Sequence, residues 1–561
     1  MRLFFKLSIL LFFILSCFLS VSAQEESLSG GTMKIVGPLA EPRELHAATT
    51  LSDGRVLVAG GFTKMFKALS SCEVFDPIKN KFVKAASMKH SRFLHTATLL
   101  KDGRVLIVGG IGDNEAKKML VDEAELFDPT TGTFIPTGSL NIPRQGHTAT
   151  LLSDGRVLII GGGNAVNYFK SKGISELEIY DLGKGQFQVV GKLETPRQFH
   201  TATLLNDGRV LITGGSGEGL KSALGSAEIY DPTTNTTHFV SPMNDKRVGH
   251  SAVLLPDGMV LIVGGSDYVS EPRIKSVEVF DPQTEKFTLT DSMHESRVDS
   301  KAILLDDGNV LIAGGSTKGP IFHKSAELYN FKTKKFNPVC DMAIARDTFS
   351  PAKLKDGRVL FMGGATREDN GLQRKLLTLA EVYVDKSDKG IKPELEVSYN
   401  EISAGAPLKV SLNAKVGKEV SVFWDFGDGQ TGEGEKLDHI YSCPGYYNVG
   451  VTAINEKCNN MYKTLDIQVA PQKDGQISFT CAIEPLLDNR CLGCHAFLND
   501  SLLGSYDELI NSKAVIPQNS KDSKLLMVND SKHKMMPSYV PLTSSELSLI
   551  SDWINQGSKN N

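Results

Sequence analysis

The stretch RELHAATTLSDGRVLVAGG, beginning at Arg43, recurs with small changes from Arg92, Arg144, Arg197, Arg247, Arg297 and Arg346. A period of about 50 residues repeated seven times restricts the chain to architectures built from stacked equivalent units, because one such unit cannot bury its own apolar face. Each copy continues into a second half such as AELFDPTTGTF from Ala124, with Glu73, Glu125, Glu178, Glu228, Glu278, Glu327 and Glu381 in register. Four strands can be read in every unit. An apolar run meets an Asp-Gly turn, where positive φ angles are expected, and a second run ends in two glycines that allow close approach of chains. A third strand alternates apolar and polar residues, and a fourth carries an aromatic such as Phe82, Phe134, Phe187, Phe287 or Phe336. Four antiparallel strands make one propeller blade.

The seven phased copies resemble kelch-repeat propellers, including the propeller domain of secreted galactose-oxidase-like proteins, over residues 32–386. The resemblance implies a seven-bladed β-propeller. The seventh copy stops after its third strand, AEVYV, whereas MKIVGPL ends at Leu39, seven residues before His46, as Met88 stands before His95. Residues 32–39 are therefore expected to supply the missing outer strand of the last blade and leave no open edge. The repeated Arg and Glu series are expected to form buried ion pairs between blades, which require mutual hydrogen bonds to offset desolvation. His46, His95, His147, His200 and His250 occupy the kelch signature position. One histidine per blade does not converge on a metal, and Ser300 and Phe349 interrupt the series.

What varies between copies is more informative about binding. The segments after the double glycines differ in length and content, each holds at least one Lys or Arg, and Phe66, Tyr168, Tyr268 and Phe322 lie among them. They are expected on one face, where loops commonly carry recognition.

After DKSDKGIKP the composition changes. The segment from Trp424-Asp425-Phe426-Gly427-Asp428-Gly429 through His439, Tyr441, Gly445, Tyr446 and Val449 resembles the polycystic-kidney-disease (PKD) type of Ig-like β-sandwich, over residues 393–470. That resemblance implies a spacer or adhesion module with Trp424 between two sheets. Cys443 and Cys458, on neighbouring strands, are expected to pair.

From residue 477 helical periodicity takes over. TSSELSLISDWINQG places Leu547, Ile550, Trp553 and Ile554 on one helix face, with Thr543 as N-cap and Gly557 at the end. Within this part, Arg490-Cys491-Leu492-Gly493-Cys494-His495 has the Cys-x-x-Cys-His spacing of covalent haem attachment. A redox disulfide would want a βαβ setting, and a zinc site would need a second ligand pair, for which only Cys481 and His533 stand nearby. Cys491 and Cys494 are read as thioether anchors of one covalent haem c and His495 as an axial iron ligand. The segment HKMMPSYVPLTSSELSLISDWINQG resembles the Met-Pro part of small bacterial c-type cytochromes, over residues 477–557. The resemblance implies a small α-helical domain with Met536 as the second axial ligand, beside the rivals Met535 and His533. Cys481 lies outside the family pattern and is left to pair with Cys72 or Cys340 or to stay free.

The first residues carry Arg2 and Lys6 before an apolar run that ends Val21-Ser22-Ala23. This reads as a signal peptide over residues 1–23, with an uncleaved anchor, or a lipoprotein acylated at Cys17, as alternatives. A periplasmic, extracellular or cell-surface location is expected, with no membrane span in the mature chain. A net charge of −4 gives no support for nucleic-acid binding.

The fold class expected is a mainly β multidomain chain: kelch propeller, Ig-like sandwich and cytochrome c domain. The function expected is an exported c-type haem protein for electron transfer, with the propeller as recognition module for a ligand or protein not identified by sequence, and with an unidentified redox partner. The alternatives are a propeller-based oxidoreductase that passes electrons to the haem, and an adhesion or scaffold protein. The copper site of galactose-oxidase-like enzymes needs Tyr, His and a Tyr-linked Cys converging at the axis, and the loops do not supply that set. No catalytic residue is assigned, and an electron carrier or binding protein is favoured over an enzyme.

Overall fold

The computed structural model describes residues 31–385 except 64–66, 115–116, 168–169, 220–221, 268–273, 318–320 and 368–373. It also describes 395–469 except 402–407, 418–419, 427, 429, 444 and 456–459, and, toward the C-terminus, 479, 483, 510, 515–523 and 544–558.

Strand β1 is Thr32–Val36, and the first blade follows as β2 (Ala47–Thr50), β3 (Val56–Ala59), β4 (Cys72–Asp76) and β5 (Lys81–Lys84), paired in that order. Burial changes steadily across the blade. β2 is half-buried along its length, β3 is buried at every residue, β4 at four of five, and β5 is largely exposed. A strand covered on both faces can be apolar throughout, which is why Val56-Leu57-Val58-Ala59 does not alternate. The next five units repeat this order, and the seventh consists of Ser350–Lys353, Val359–Met362 and Ala380–Val384. Its fourth strand is β1, antiparallel to Ala380–Val384 from Thr32↔Val384 to Val36↔Ala380. Met33, Val36 and Leu39 are buried in this seam. The ring is thereby closed by both ends of the propeller.

The Asp-Gly turns differ in detail from a two-residue hairpin. The link between β2 and β3 spans residues 51–55, closed by Leu51 N–H donating to Arg55 O at 2.7 Å, and only Gly54 is left-handed, with φ +93°. Asp53 instead accepts the Arg55 backbone N–H on Oδ1 at 3.0 Å, an Asx-type turn.

All seven Arg of the repeat are fully buried and meet their Glu at 2.5–3.1 Å, as in Arg197–Glu228 at 2.6 Å and Arg247–Glu278 at 2.7 Å. The partners belong to one repeat, not to two neighbouring blades as the periodicity suggested. Arg247 Nη1 also donates to the carbonyls of Gly264 and Ser276, and Glu278 Oε2 accepts the backbone N–H of Asn244. The same Glu-to-backbone bond recurs at Ala40, Lys89, Asn141, Glu194, His294 and Ala343. The ion pair thus fastens the segment arriving from the previous blade to the second and third strands of its own.

The PKD segment forms two sheets. One holds Leu395–Glu401, Leu408–Val416 and Lys436–Tyr441, the other Thr431–Glu433, Val420–Asp425, Gly445–Asn455 and Asn460–Val469. Trp424 is buried in their shared core with Val410, Leu412, Val451 and Ile467, and its Nε1 donates to Gly434 O at 2.8 Å. His439 stacks on Phe426 at 3.8 Å and meets Asp428 Oδ2 at 2.8 Å.

Helix α1, Ser544–Asn555, buries Ile550, Trp553 and Ile554, and the Trp553 ring lies 5.4 Å from that of Phe479. Gly557 ends it at φ +96°, with Ser558 N–H donating to Trp553 O, a left-handed stop. Cys72 is buried and free, which removes it as a partner for Cys481, while Cys340 and Cys443 are each disulfide-bonded. Cys458 and Cys481 lie outside the described residues. No helix among the described residues is long and apolar enough to cross a membrane.

Removing residues 24–40 should unpair Ala380–Val384 and take away the burial of Met33, Val36 and Leu39, a loss of about 5–9 kcal/mol at roughly 1.5–3 kcal/mol each. The melting temperature measured by calorimetry should fall sharply; an unchanged melt would show that the ring does not depend on this seam.

Candidate binding site at the propeller axis

In every repeat the residue after the buried Arg forms a bridge to the residue after the double glycine, as in Glu44↔Phe62, Gln145↔Gly163, Gln198↔Ser216 and Asp347↔Ala365. The blade-to-blade connectors and the variable loops therefore share one face. Gly60 and Gly61 show why glycine is needed beneath them: both have positive φ, and a Cβ on Gly61 would lie 2.7 Å from Glu44 O.

The next connector residue is left-handed in all seven blades: Leu45, Leu94, Gly146, Phe199, Gly249, Asp299 and Thr348 have φ between 49° and 66°. Leu94 N–H donates to Leu45 O, Gly146 to Leu94, Phe199 to Gly146, Asp299 to Gly249, and Leu45 to Thr348, at 2.8–3.2 Å. These bonds run in one direction around the axis, and the Leu45–Thr348 bond joins the first and seventh blades. All seven residues are partly buried. Left-handed backbone costs an ordinary L-residue about 1–2 kcal/mol, and Leu and Phe have no local polar group to stabilise it as Asn or Asp does.

Beside the belt lies a buried polar group. Glu44 Oε2 takes the Arg374 guanidinium and the Thr348 hydroxyl, whereas its Oε1 is buried without a partner. Burial pushes the Glu44 carboxyl up from its usual range against the opposing pull of Arg374, and it raises Asp347 likewise against Arg374 and Lys301. On the far side, Gln145 Nε2 donates to Gln198 Oε1 at 3.1 Å, and Gln198 Nε2 to Ser171 O. A third sector is apolar, with Phe62 and Phe93 edge to face at 5.2 Å. Of the loop aromatics singled out in the sequence, Phe322 lies 5.5 Å beneath the Arg367 guanidinium carbon. Phe66, Tyr168 and Tyr268 lie outside the described residues.

Three of the five histidines tie neighbouring blades together. His147, His200 and His250 are buried, and their Nε2 atoms meet Thr96, Thr148 and Thr201 of the preceding blade at 2.9–3.0 Å. No group of three or more His, Cys, Asp or Glu fit to hold a metal occurs among the described residues. The proposed haem residues Cys491, Cys494, His495 and Met536 lie outside the described residues, as do the rivals Met535 and His533. The belt went unnoticed in the sequence, although it left a signal: the residue before the His-type position varies as Leu, Leu, Gly, Phe, Gly, Asp, Thr while its surroundings repeat.

Burial drives the His46, His147 and His250 pKa values down to about 3, so these rings are neutral in the fold. An unfolded histidine titrates near 6.5; between about 6.5 and 3 the unfolded chain binds more protons, and stability falls as pH falls. The melting temperature should therefore drop between pH 7 and pH 5, less steeply in His147→Gln. Equal slopes would contradict the neutral buried ring.

Residues 19–215 and 95–315 match the KLHDC2/KLHL20/DRC7 Kelch-repeats domain, and residues 392–469 match the PKD domain. No curated protein matches the chain. Among solved structures, a novel fungal alcohol oxidase of the AA5 family, in complex with copper, superposes with a TM-score of 0.53 at 15% identity, covering 79% of this chain and 99% of its own. The structure of YjhT superposes at 0.43 with 15% identity, covering 54% and 99%, too loosely to carry an argument. At such identity the oxidase speaks for the fold alone. The two overlapping kelch matches run together from residue 19 to 315, more than half of the 561 residues, and the chain belongs to the kelch-repeat family, with a PKD domain after its propeller.

Proposed function

We propose that this chain is an exported c-type haem protein for electron transfer whose kelch propeller serves as its recognition module. The observation that carries the reading is Cys491-x-x-Cys494-His495, a donor set whose chemistry fits covalent haem: two thiols for the vinyl groups and an adjacent imidazole for the iron. When bound, haem would supply reversible one-electron chemistry, and Cys491, Cys494, His495 and Met536 are the residues that would hold it. The chain's own part is to hold and seal the group. The buried face of α1, with Trp553 against Phe479, supplies apolar cover of the kind that excludes water beside a cofactor.

The oxidoreductase reading gains less support. The axial belt offers one carboxylate and one hydroxyl among leucine, phenylalanine and glycine, and neither Tyr nor His stands in it. The copper of the fungal oxidase belongs to that protein.

In protein matured in a periplasm, reduction should give haem c absorption, and Met536→Ala should abolish the weak sulfur–iron charge-transfer band of the oxidised form. A protein without haem absorption ends the reading; a band that survives the substitution moves the axial role to Met535.

A further inference from the structure

We infer that the cleft between blades one and two, on the face opposite the variable loops, binds a small organic carboxylate whose oxygen accepts a hydrogen bond from Arg55 Nη1. The inference adds a second site to the chain and rests on neither the haem reading nor the axial belt.

A cavity of about 540 Å³ lies there, with Ser52, Lys101, Arg104, Asp128 and Thr130 lining it beside Arg55. That volume is ordinary for a small-molecule pocket. A change of one residue in a repeated contact opens it. The Arg that follows an Asp-Gly turn reaches the next blade, where its Nη2 donates to a proline carbonyl: Arg55 to Pro129 at 3.0 Å, Arg209 to Pro282 at 3.2 Å and Arg358 to Pro77 at 2.7 Å. Three residues beyond each proline stands a left-handed residue, Gly132, Glu285 or Asn80. At two of these junctions it caps the other terminal nitrogen: Glu285 accepts Arg209 Nη1 at 2.7 Å, and Asn80 accepts Arg358 Nη1 at 2.9 Å. Between blades one and two the capping residue is Gly132, and a Cβ added there would meet nothing within 4 Å. Arg55 spends its Nε and Nη2 on Asp53 and Pro129, which leaves Nη1 without an acceptor among the described residues.

What this junction lacks is the acceptor that Glu285 supplies between blades four and five. A carboxylate serves best, because a charge-assisted N–H···O bond is roughly twice as strong as a neutral one. The carboxylates of the cleft are otherwise engaged. Asp53 and Asp102 each hold the Arg two residues on, and Asp128 Oδ1 accepts the Thr130 backbone N–H at 2.8 Å, a bond that keeps its carboxyl below the usual range. Arg55, Lys101 and Arg104 balance Asp53, Asp102 and Asp128, so the lining has no net charge to hold a polyanion. The open N–H selects a single carboxylate group instead. An ammonium guest would leave Arg55 Nη1 as it is. With the Arg55 side chain 40% exposed, water and salt compete for the contact, and binding is weak and salt-sensitive.

Ligand-observed NMR of the full-length exported protein at low ionic strength, with propanoate, propanamide and propylammonium as probes, tests the site. Propanoate should bind at least tenfold more tightly than propanamide, and propylammonium should not bind. Gly132→Glu, which recreates beside Arg55 the cap that Glu285 gives Arg209, should abolish propanoate binding. The backbone admits that change, since Glu285 itself holds φ +54° at the equivalent position. Arg55→Gln should weaken propanoate tenfold or more; should that variant melt early, Gly132→Glu decides alone. No binding of propanoate, equal binding of acid and amide, binding of propylammonium, or unchanged propanoate affinity in Gly132→Glu would each overturn the site. None of these results bears on haem absorption, so the site and the electron-transfer reading fail separately.

Discussion

A guanidinium removed from water in every blade is the constraint on which the propeller depends. Desolvation makes such a group expensive, and removing one partner of a buried pair typically costs about 3–5 kcal/mol. The structure meets the requirement by pairing each group with its Glu and with backbone carbonyls, most fully at Arg247, which donates to Glu278, to two backbone carbonyls and to the Ser276 hydroxyl, all within its own repeat, while the Nε of Arg43, Arg92 and Arg346 is buried without a hydrogen-bond partner. Because Glu278 also accepts the backbone N–H of Asn244 and, more weakly, of Asp245, the path of the connector is fixed by the same charge. Repeated seven times, this arrangement brings each incoming connector to the axis in one conformation.

Once Arg247 and its equivalents are anchored, the residue two positions on has to turn left-handed to place the following histidine between blades, whatever its side chain. Glycine satisfies the turn at blades three and five. At the other five blades the chain keeps a larger residue, and the belt of backbone hydrogen bonds from Leu45 round to Thr348 holds it there. Strain of this kind persists where surrounding structure overdetermines the backbone, and it gathers at binding sites.

The kelch repeat and the PKD core were legible because each rests on residue type and spacing: the double glycine, the Asp-Gly turn, and Trp424 two residues before Phe426. Other features were not. Periodicity aligns Arg247 with Glu278 but does not say whether they meet within a repeat or across two, since either arrangement repeats with the same period. The left-handed belt was hidden for a different reason. Leucine and threonine at positive φ carry no compositional mark, and only comparison of the seven copies isolates the position. The histidines were legible as scaffold but their partners were not, because Thr96, Thr148 and Thr201 belong to the neighbouring blade and lie about 50 residues away. The haem motif is legible from spacing alone, and its residues lie outside the described part of the chain.

The account joins a recognition surface to a covalently held redox group, and the covalent bond is its most exposed element. Mass spectrometry of the exported, matured protein under denaturing conditions tests that bond directly. The account predicts one haem retained above the mass of the polypeptide, with Cys491 and Cys494 both closed to alkylation after reduction. A polypeptide at its sequence mass in which both thiols take the label would contradict it.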